Sequence, residues 1–255
     1  MKVAFWNTVP MAGSISGYVA AIGTMLCLEY RYEVILGSNY FSNHMLQDCF
    51  LGKMKEEGIA RAPYNFFYDS KEYDAALWNF KKKMQRDILE IPMDGMKVIF
   101  PPEMSENHMF YYNAPPSAFY LLEFACDNND LFRRVLNEAE LIVVFLPQNV
   151  AEIQNFFHRF SSIIPKAFFV IIEVERSNRS FYKNCVAKYG VFSKNIGSVS
   201  VEKTYEEACV EGKIVSFLQK KYATKYPQYK FVSSIKTIVR RLNEYHMNQE
   251  KRSEE

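Results

Sequence analysis

The sequence predicts an α/β fold, a doubly wound and mostly parallel sheet of seven strands with helices on both faces. Short apolar runs alternate along the chain with amphipathic helical patterns, the order that parallel strands and crossover helices require. Some runs, such as Leu141–Leu146, are apolar at every position, which is typical of strands buried on both faces of a sheet. A small-residue turn separates the first run from the first helix, as at a ligand-binding edge of such a sheet.

In the first half of the chain, turn residues and helical spacing bound the predicted elements. Residues 2–6 form the first strand, and residues 16–30 follow as a helix. The second strand, 33–36, ends at Gly37-Ser38-Asn39, and the strand 97–100 ends at Pro101-Pro102. Between them we predict a helix over 70–90, because apolar residues recur at spacings of three and four: Tyr73, Leu77, Phe80, Met84 and Ile88.

The second half alternates more regularly. We predict strands over 119–124, 141–146, 167–174 and 196–201, and helices over 130–138, 150–163, 178–189 and 205–222. A last helix, 233–245, carries an apolar face formed by Ile235, Ile238, Val239 and Leu242. The residues that follow are polar. We therefore predict a single domain over 1–245 and a disordered tail over 246–255.

Composition narrows the possible function. Net charge is only +2, so nothing in the overall charge calls for nucleic acid as a partner. The five cysteines lie far apart, without a CxxC pair or the Cys/His spacing of a metal site, and we interpret them as reduced thiols. The first residues lack a signal-peptide pattern, and no apolar run reaches about 18 residues, so we expect a cytoplasmic location.

Residues 3–17 have the layout of a phosphate-binding loop: an apolar strand, a small-residue turn and a helix start. Backbone N–H groups at such a turn, together with the helix N-terminus, favour an anion. The candidate nucleotide-binding residues are Gly13, Ser14, Ile15, Ser16 and Gly17. The lysine that normally reaches the β- and γ-phosphates is missing. The alternative is a plain strand-to-helix turn in which small residues permit close packing.

This loop resembles that of the ParA/MinD family of deviant Walker-motif ATPases. Residues 10–23 match the family's Gly-Lys-Gly-Gly-x-Gly-Lys-Thr loop and the Leu-Gly pair in the helix behind it. The match places Ser16 at the magnesium-binding threonine, Ile15 at the loop lysine and Pro10 at the second, dimer-reaching lysine. Both lysines are therefore absent, and the Walker A motif is degenerate.

Two further stretches extend the resemblance over nearly the whole chain. Residues 119–127, with 139–144 after them, resemble the family's strand that ends in Asp and the entry to its next strand. Glu123 stands at that Asp. Residues 196–202, followed by Glu207-Ala208 and Glu211-Gly212-Lys213, resemble the late strand and the entry to the C-terminal helix. Eroded loops of this kind are similar to those of the pilus-assembly relative TadZ.

The resemblance implies ATP and Mg²⁺ as ligands, with Ser16 and Glu123 as the metal site and Glu123 as a possible catalytic carboxylate. Glu123 has an alternative role as a solvated or ion-paired carboxylate. Glu173 stands where the family places an asparagine that contacts adenine. A carboxylate only accepts hydrogen bonds, so Glu173 can bind the adenine amino group but cannot donate to a ring nitrogen.

The implied function is that of a positioning or assembly factor, with pilus or secretion machinery as its setting and weak or absent ATP hydrolysis. The family implies a homodimer formed through the nucleotide face, and protein partners in a surface or secretion apparatus. The basic residues of the last helix, Lys236, Arg240 and Arg241, suggest peripheral membrane contact or docking on the sheet. Two alternatives remain: an active ATPase with a relocated cation (Lys2, Lys53, Lys55 or an arginine from the partner chain), and an adaptor that binds no nucleotide.

Overall fold

The structure, a computed structural model, describes residues 1–8, 15–38, 46, 49–50, 88–90, 96–99, 118–125, 130–173, 178–223 and 230–254. Its strands form one sheet in the order β3-β4-β2-β5-β1-β6-β7-β8. They are β1 (Lys2–Asn7), β2 (Val34–Ser38), β3 (Ile88–Glu90), β4 (Met96–Ile99), β5 (Phe119–Ala125), β6 (Leu141–Leu146), β7 (Ala167–Glu173) and β8 (Ile196–Ser200).

The predicted fold class is confirmed, but the predicted number of strands is wrong. Six strands, β2, β5, β1, β6, β7 and β8, form a parallel body. Two short strands extend it at one edge, where β4 pairs parallel with β2 and β3 pairs antiparallel with β4. The extra strand β3 contains Ile88, which the sequence pattern assigns to the end of a helix. An apolar pair such as Ile88-Leu89 fits either element, and residues 70–87 of that predicted helix lie outside the described residues.

Helices cover both faces of the sheet. They are α1 (Ser16–Tyr30), α2 (Asp130–Glu138), α3 (Val150–Phe160), α4 (Arg179–Ala187), α5 (Lys203–Val210), α6 (Ile214–Ala223) and α7 (Lys230–Glu254). Alternate residues of β1 point into opposite cores: Val3 and Phe5 pack with residues of α1, α6 and α7. Ala4 and Trp6 pack with residues of α2, α3 and α4. None of these described helices is both long enough and apolar enough to span a bilayer.

Two predicted helices are interrupted in the structure. The helix predicted over 150–163 ends at Phe160, and a 3-10 segment that contains Pro165 follows it. The helix predicted over 205–222 is split into α5 and α6 around Gly212, which has a φ of +70°. Glycine adopts this left-handed conformation without steric cost, so it ends α5 and allows the chain to change direction.

The last helix is longer than the sequence indicates. It runs through 246–254, which corrects the expectation of a disordered tail that begins at 246. His246 is buried, and its ring contacts those of Tyr32 and Phe119 at centroid distances of 5.4 and 5.0 Å. Asn243 accepts a hydrogen bond from the Tyr32 hydroxyl at 2.7 Å. The buried ring of His246 and the hydrogen bond of Asn243 therefore anchor the end of the helix. The polar composition of residues 246–255 does not indicate this buried contact.

Candidate functional site

The site lies between the end of the central strand β1 and the start of α1. β1 is flanked by β5 and β6, so its carboxyl end lies in the middle of the sheet. Residue 15 occupies the N-cap position of α1, where its carbonyl accepts the Val19 N–H at 2.9 Å, and its side chain makes no capping hydrogen bond. The first turn of α1 also has no acidic residue. The partial positive charge of the helix end is thus not neutralised by a carboxylate of its own first turn.

The two residues predicted to hold magnesium are in direct contact. The Ser16 hydroxyl lies 2.7 Å from each carboxylate oxygen of Glu123, to which it donates a hydrogen bond. Glu123 is 0% exposed and Ser16 only 2%. In the register of the sheet Glu123 stands beside Phe5 of β1 and opposite Ser38 of β2. The fold therefore joins a helix residue and a strand residue that lie 107 positions apart in the sequence.

This pair suits a magnesium ion in its donor chemistry. A hydroxyl and a carboxylate are hard oxygen ligands, of the kind that Mg²⁺ prefers. A carboxylate at the N-terminus of a helix is also favourable in the absence of any metal. The arrangement can therefore bind a divalent cation, and it can also be stable as a buried hydrogen bond without one.

Ile15 is the residue that the sequence resemblance matches to the loop lysine. Its side chain is fully buried in the core between the sheet and α1. In this structure the side chain is used for apolar packing. A phosphate at this helix end would meet backbone N–H groups and the Glu123 carboxylate, without the cation that usually balances its charge.

The first turn of α1 is held by α5, a contact that the sequence analysis missed. The Tyr205 hydroxyl donates a hydrogen bond to the Gly17 carbonyl oxygen at 2.6 Å. A methyl group on Gly17 would lie 3.3 Å from Cys209 Sγ and 3.5 Å from a ring carbon of Tyr205, so glycine permits this close approach. Burial raises the pKa of Tyr205 well above its ordinary value. In the sequence, only the four-residue spacing between Tyr205 and Cys209 points to this contact. That spacing indicates that the two residues share one face of a helix, but it does not indicate what the face packs against.

Glu173 has a different setting from the one predicted. It ends β7, two strands from β1, and Arg179 at the start of α4 binds both of its carboxylate oxygens. Burial opposes ionisation of Glu173, but hydrogen bonds from Arg179 and Ser198 and the charges of Arg179 and Lys183 outweigh it and lower the pKa. The oxygens predicted to contact adenine are therefore already used to join β7 to α4.

The remaining candidates divide into two groups. Gly13, Ser14, Pro10, Lys53 and Lys55 lie outside the described residues. Lys2 is described, and it begins β1, whereas the loop follows the other end of that strand. A strand rises about 3.3 Å per residue, which puts Lys2 roughly 16 Å from Asn7. Lys2 is thus excluded as the relocated cation of an active ATPase.

No protein-family model matches this chain, and no curated protein matches it. Solved structures do. A chain of the MinC:MinD cell division protein complex of Aquifex aeolicus matches with a TM-score of 0.61 and 11% identity, over 94% of each chain. A ParA family ATPase from Chlorobium tepidum TLS has a TM-score of 0.58 and 13% identity, over 93% of this chain and 98% of that one.

The septum site-determining protein MinD of Pyrococcus horikoshii OT3, in complex with Mg-ADP, also matches. Its TM-score is 0.54 at 11% identity, over 95% of this chain and 96% of that one. Identities this low establish the fold alone. The chain therefore has a ParA/MinD-like fold, as the sequence resemblance predicts.

Proposed function

We propose that this protein is a nucleotide-binding positioning or assembly factor of the ParA/MinD type that hydrolyses ATP weakly or not at all. The observation that carries the proposal is the buried contact between Ser16 and Glu123 at the first turn of α1. It joins a helix N-terminus suited to phosphate with oxygen ligands suited to magnesium. Degeneration of the Walker A motif is part of the proposal, because it depends on the match of Ile15 and Pro10 to the family's lysines.

Magnesium has a larger role here than in a loop that carries its lysine. Ser16 and Glu123 would hold the ion, and Gly13 to Gly17 would offer backbone N–H groups to the phosphates. A magnesium ion held there would supply the positive charge that the phosphate needs and that the loop itself lacks. Without it, the Glu123 carboxylate and a phosphate would repel each other at the same helix end. Nucleotide binding should therefore depend strictly on Mg²⁺.

Hydrolysis should be weaker than binding. Phosphoryl transfer depends mostly on positioning and on charge stabilisation in the transition state. Loss of one such group commonly costs about 2.7–4 kcal/mol, or roughly 10²–10³ in rate. Ile15 supplies no charge, and its burial leaves no path by which its side chain reaches a phosphate. If hydrolysis is slow or absent, the protein would switch between states according to whether nucleotide is bound, and not according to whether ATP has been hydrolysed.

The setting follows from the resemblance. We propose a cytoplasmic homodimer, formed through the nucleotide face, that binds protein partners of a surface or secretion apparatus, with pilus assembly as the favoured example. The solved complex of MinC with MinD gives one instance in which this fold binds another protein. Peripheral membrane contact through α7 is a further part of this proposal. Binding to nucleic acid is not part of it.

Thermal unfolding with and without excess Mg·ATP tests the proposal. A ligand that binds only the native state at 100 times its Kd stabilises by about 2.7 kcal/mol. In a chain of this size that raises Tm by roughly 5–11 °C. We expect the shift with Mg·ATP and its loss in EDTA, with Mg·GTP as the comparison. Glu123→Gln should abolish it, whereas Glu140→Gln, at the opposite end of the sheet, should retain it.

One observation favours a second candidate, the nucleotide-free adaptor. Ser16 and Glu123 satisfy each other while almost fully buried, so the pair needs no ligand to be stable. If no nucleotide shifts the Tm of the unmodified protein, the adaptor is the better account. Rapid magnesium-dependent release of phosphate would contradict both, and would point to a cation supplied from elsewhere.

A further inference from the structure

One tyrosine of α5 reaches the first turn of α1 from two sides. Tyr205 is 3% exposed, and its hydroxyl donates a hydrogen bond to the Gly17 carbonyl oxygen at 2.6 Å. Its ring lies beside the α-carbon of the same glycine, since a methyl group there would be 3.5 Å from a Tyr205 ring carbon. Tyr205 therefore contacts both the carbonyl and the α-carbon of the residue that follows Ser16.

Stacked aromatic rings fix the position of Tyr205. Its ring stacks on that of Phe231, at the start of α7, with the centroids 4.3 Å apart, and lies 5.4 Å from the ring of Phe217 in α6. Phe231 is itself buried, and its ring lies 6.3 Å from that of Tyr18 in α1. The position of the Tyr205 hydroxyl is thus set by the packing of α5 against α6 and α7.

The Gly17 carbonyl belongs to the same peptide group as the N–H of Tyr18. A peptide group is planar and rigid, so a hydrogen bond that holds its oxygen also fixes the direction of its N–H. Donation to the carbonyl polarises the group as well, which makes the N–H a better donor. The N–H groups of a first helical turn have no partner within the helix, and they are the groups that bind an anion there. Tyr205 can therefore act on one of these N–H groups through a single peptide plane.

We propose that Tyr205 is a positioning residue of the nucleotide site, and that it raises the affinity for the phosphate groups by orienting the Gly17–Tyr18 peptide. The inference rests on the proposed function, since it concerns how that site binds its ligand. Tyr205 acts through the backbone of α1 and does not touch the nucleotide. Because the effect passes through a peptide that faces phosphate, it should be the same for Mg·ATP and for magnesium pyrophosphate, which has neither base nor ribose.

Tyr205→Phe tests the proposal, because it removes the hydroxyl and keeps the ring that stacks on Phe231. Loss of one such hydrogen bond corresponds to a roughly two- to tenfold change in an equilibrium constant. Titration calorimetry of the full-length protein should therefore give a Kd for Mg·ATP that is higher by about this factor. Magnesium pyrophosphate should show an equal change.

Tyr245→Phe is the matched control. The Tyr245 hydroxyl also donates to a backbone carbonyl, that of Glu140, at 2.8 Å, and Glu140 lies beside the first residue of β1, at the end of the sheet away from the site. Both variants lose the same kind of hydrogen bond, so urea unfolding in EDTA should show a lower stability for each. Only Tyr205→Phe should weaken the binding of Mg·ATP, which a role in stability alone would not do.

Hydrogen exchange of the unmodified protein gives a measurement that needs no variant. Because Tyr205 joins α5 to the start of α1, Mg·ATP should slow the exchange of backbone amides in both segments. The inference is overturned, and the proposed function stands, if Tyr205→Phe binds Mg·ATP as tightly as the wild type does. The same holds if Tyr245→Phe weakens binding equally, or if Mg·ATP protects α1 and leaves α5 unchanged. If the wild type binds neither Mg·ATP nor magnesium pyrophosphate, the inference and the proposed function both fail.

Discussion

Removal of the Ser16 hydroxyl tests whether the buried Glu123 carboxylate depends on it. In Ser16→Ala, a carboxylate that is 0% exposed loses a donor that lies 2.7 Å from both of its oxygens. Loss of one partner of a buried group costs about 1–3 kcal/mol, and the value is at the upper end when the group is charged. We therefore expect the free energy of unfolding to fall by about 2 kcal/mol.

The assay is thermal and urea unfolding in EDTA without nucleotide, so that no ligand contributes. A loss of about 2 kcal/mol corresponds to a Tm about 4–8 °C lower in a chain of this size. Thr24→Val is the matched control, since Thr24 is also fully buried in α1, and its hydroxyl donates to the neutral Ala20 carbonyl at 2.8 Å. It should cost about 1 kcal/mol or less. The reasoning is refuted if Ser16→Ala destabilises no more than Thr24→Val.

Three further predictions concern the ion pair of β7, the packing of α1 and the missing lysine. Because the folded-state pKa of Glu173 is lowered, its stabilising contribution is present above its ordinary value of 4.5 and is lost as the pH falls through the folded pKa. Urea unfolding of the wild type and of Glu173→Gln measures this contribution as a stability difference, which should shrink as the pH falls below 4.5. A difference that does not change with pH would count against the pairing with Arg179. In Gly23→Ala the added methyl group lies 2.8 Å from a leucine of β2, whereas in Gly17→Ala the nearest atom is 3.3 Å away. Because the tighter contact costs more to relieve, Gly23→Ala should show the lower Tm. Equal values would mean that the neighbouring side chains of β2 and of α5 yield to the same extent. Ile15→Lys should lower the Tm, because it puts an ammonium group into the core. It should not create rapid phosphate release, because the proposal places Pro10 where the family has its second lysine.

The sequence predicts most elements of the parallel body because their signals are local. The bounds of α1, α2 and β6 agree residue for residue with the structure. These segments have clear apolar periodicity or are apolar throughout, and turn residues stand at their ends. The sequence also predicts that Ser16 and Glu123 lie together, because the family resemblance assigns both to one magnesium site, and the structure places them in contact.

The remaining contacts are not indicated by the apolar pattern of the elements that carry them. Glu173 and Arg179 are only six positions apart, but neither the pattern of β7 nor that of α4 predicts that they pair. The contact of Tyr205 with Gly17 requires α5 to pack on the start of α1, which no spacing in the sequence indicates. The continuation of α7 depends on His246, one buried ring in an otherwise polar stretch.

The state of the bound nucleotide tests the central claim most directly. The protein is incubated with Mg·ATP at 25 °C for an hour, separated rapidly from free nucleotide, denatured, and its nucleotide identified by chromatography. The account predicts close to one nucleotide per chain, present as ATP, and none when EDTA replaces magnesium. Recovery of mainly ADP with free phosphate would contradict the claim of weak or absent hydrolysis, and recovery of no nucleotide would contradict binding.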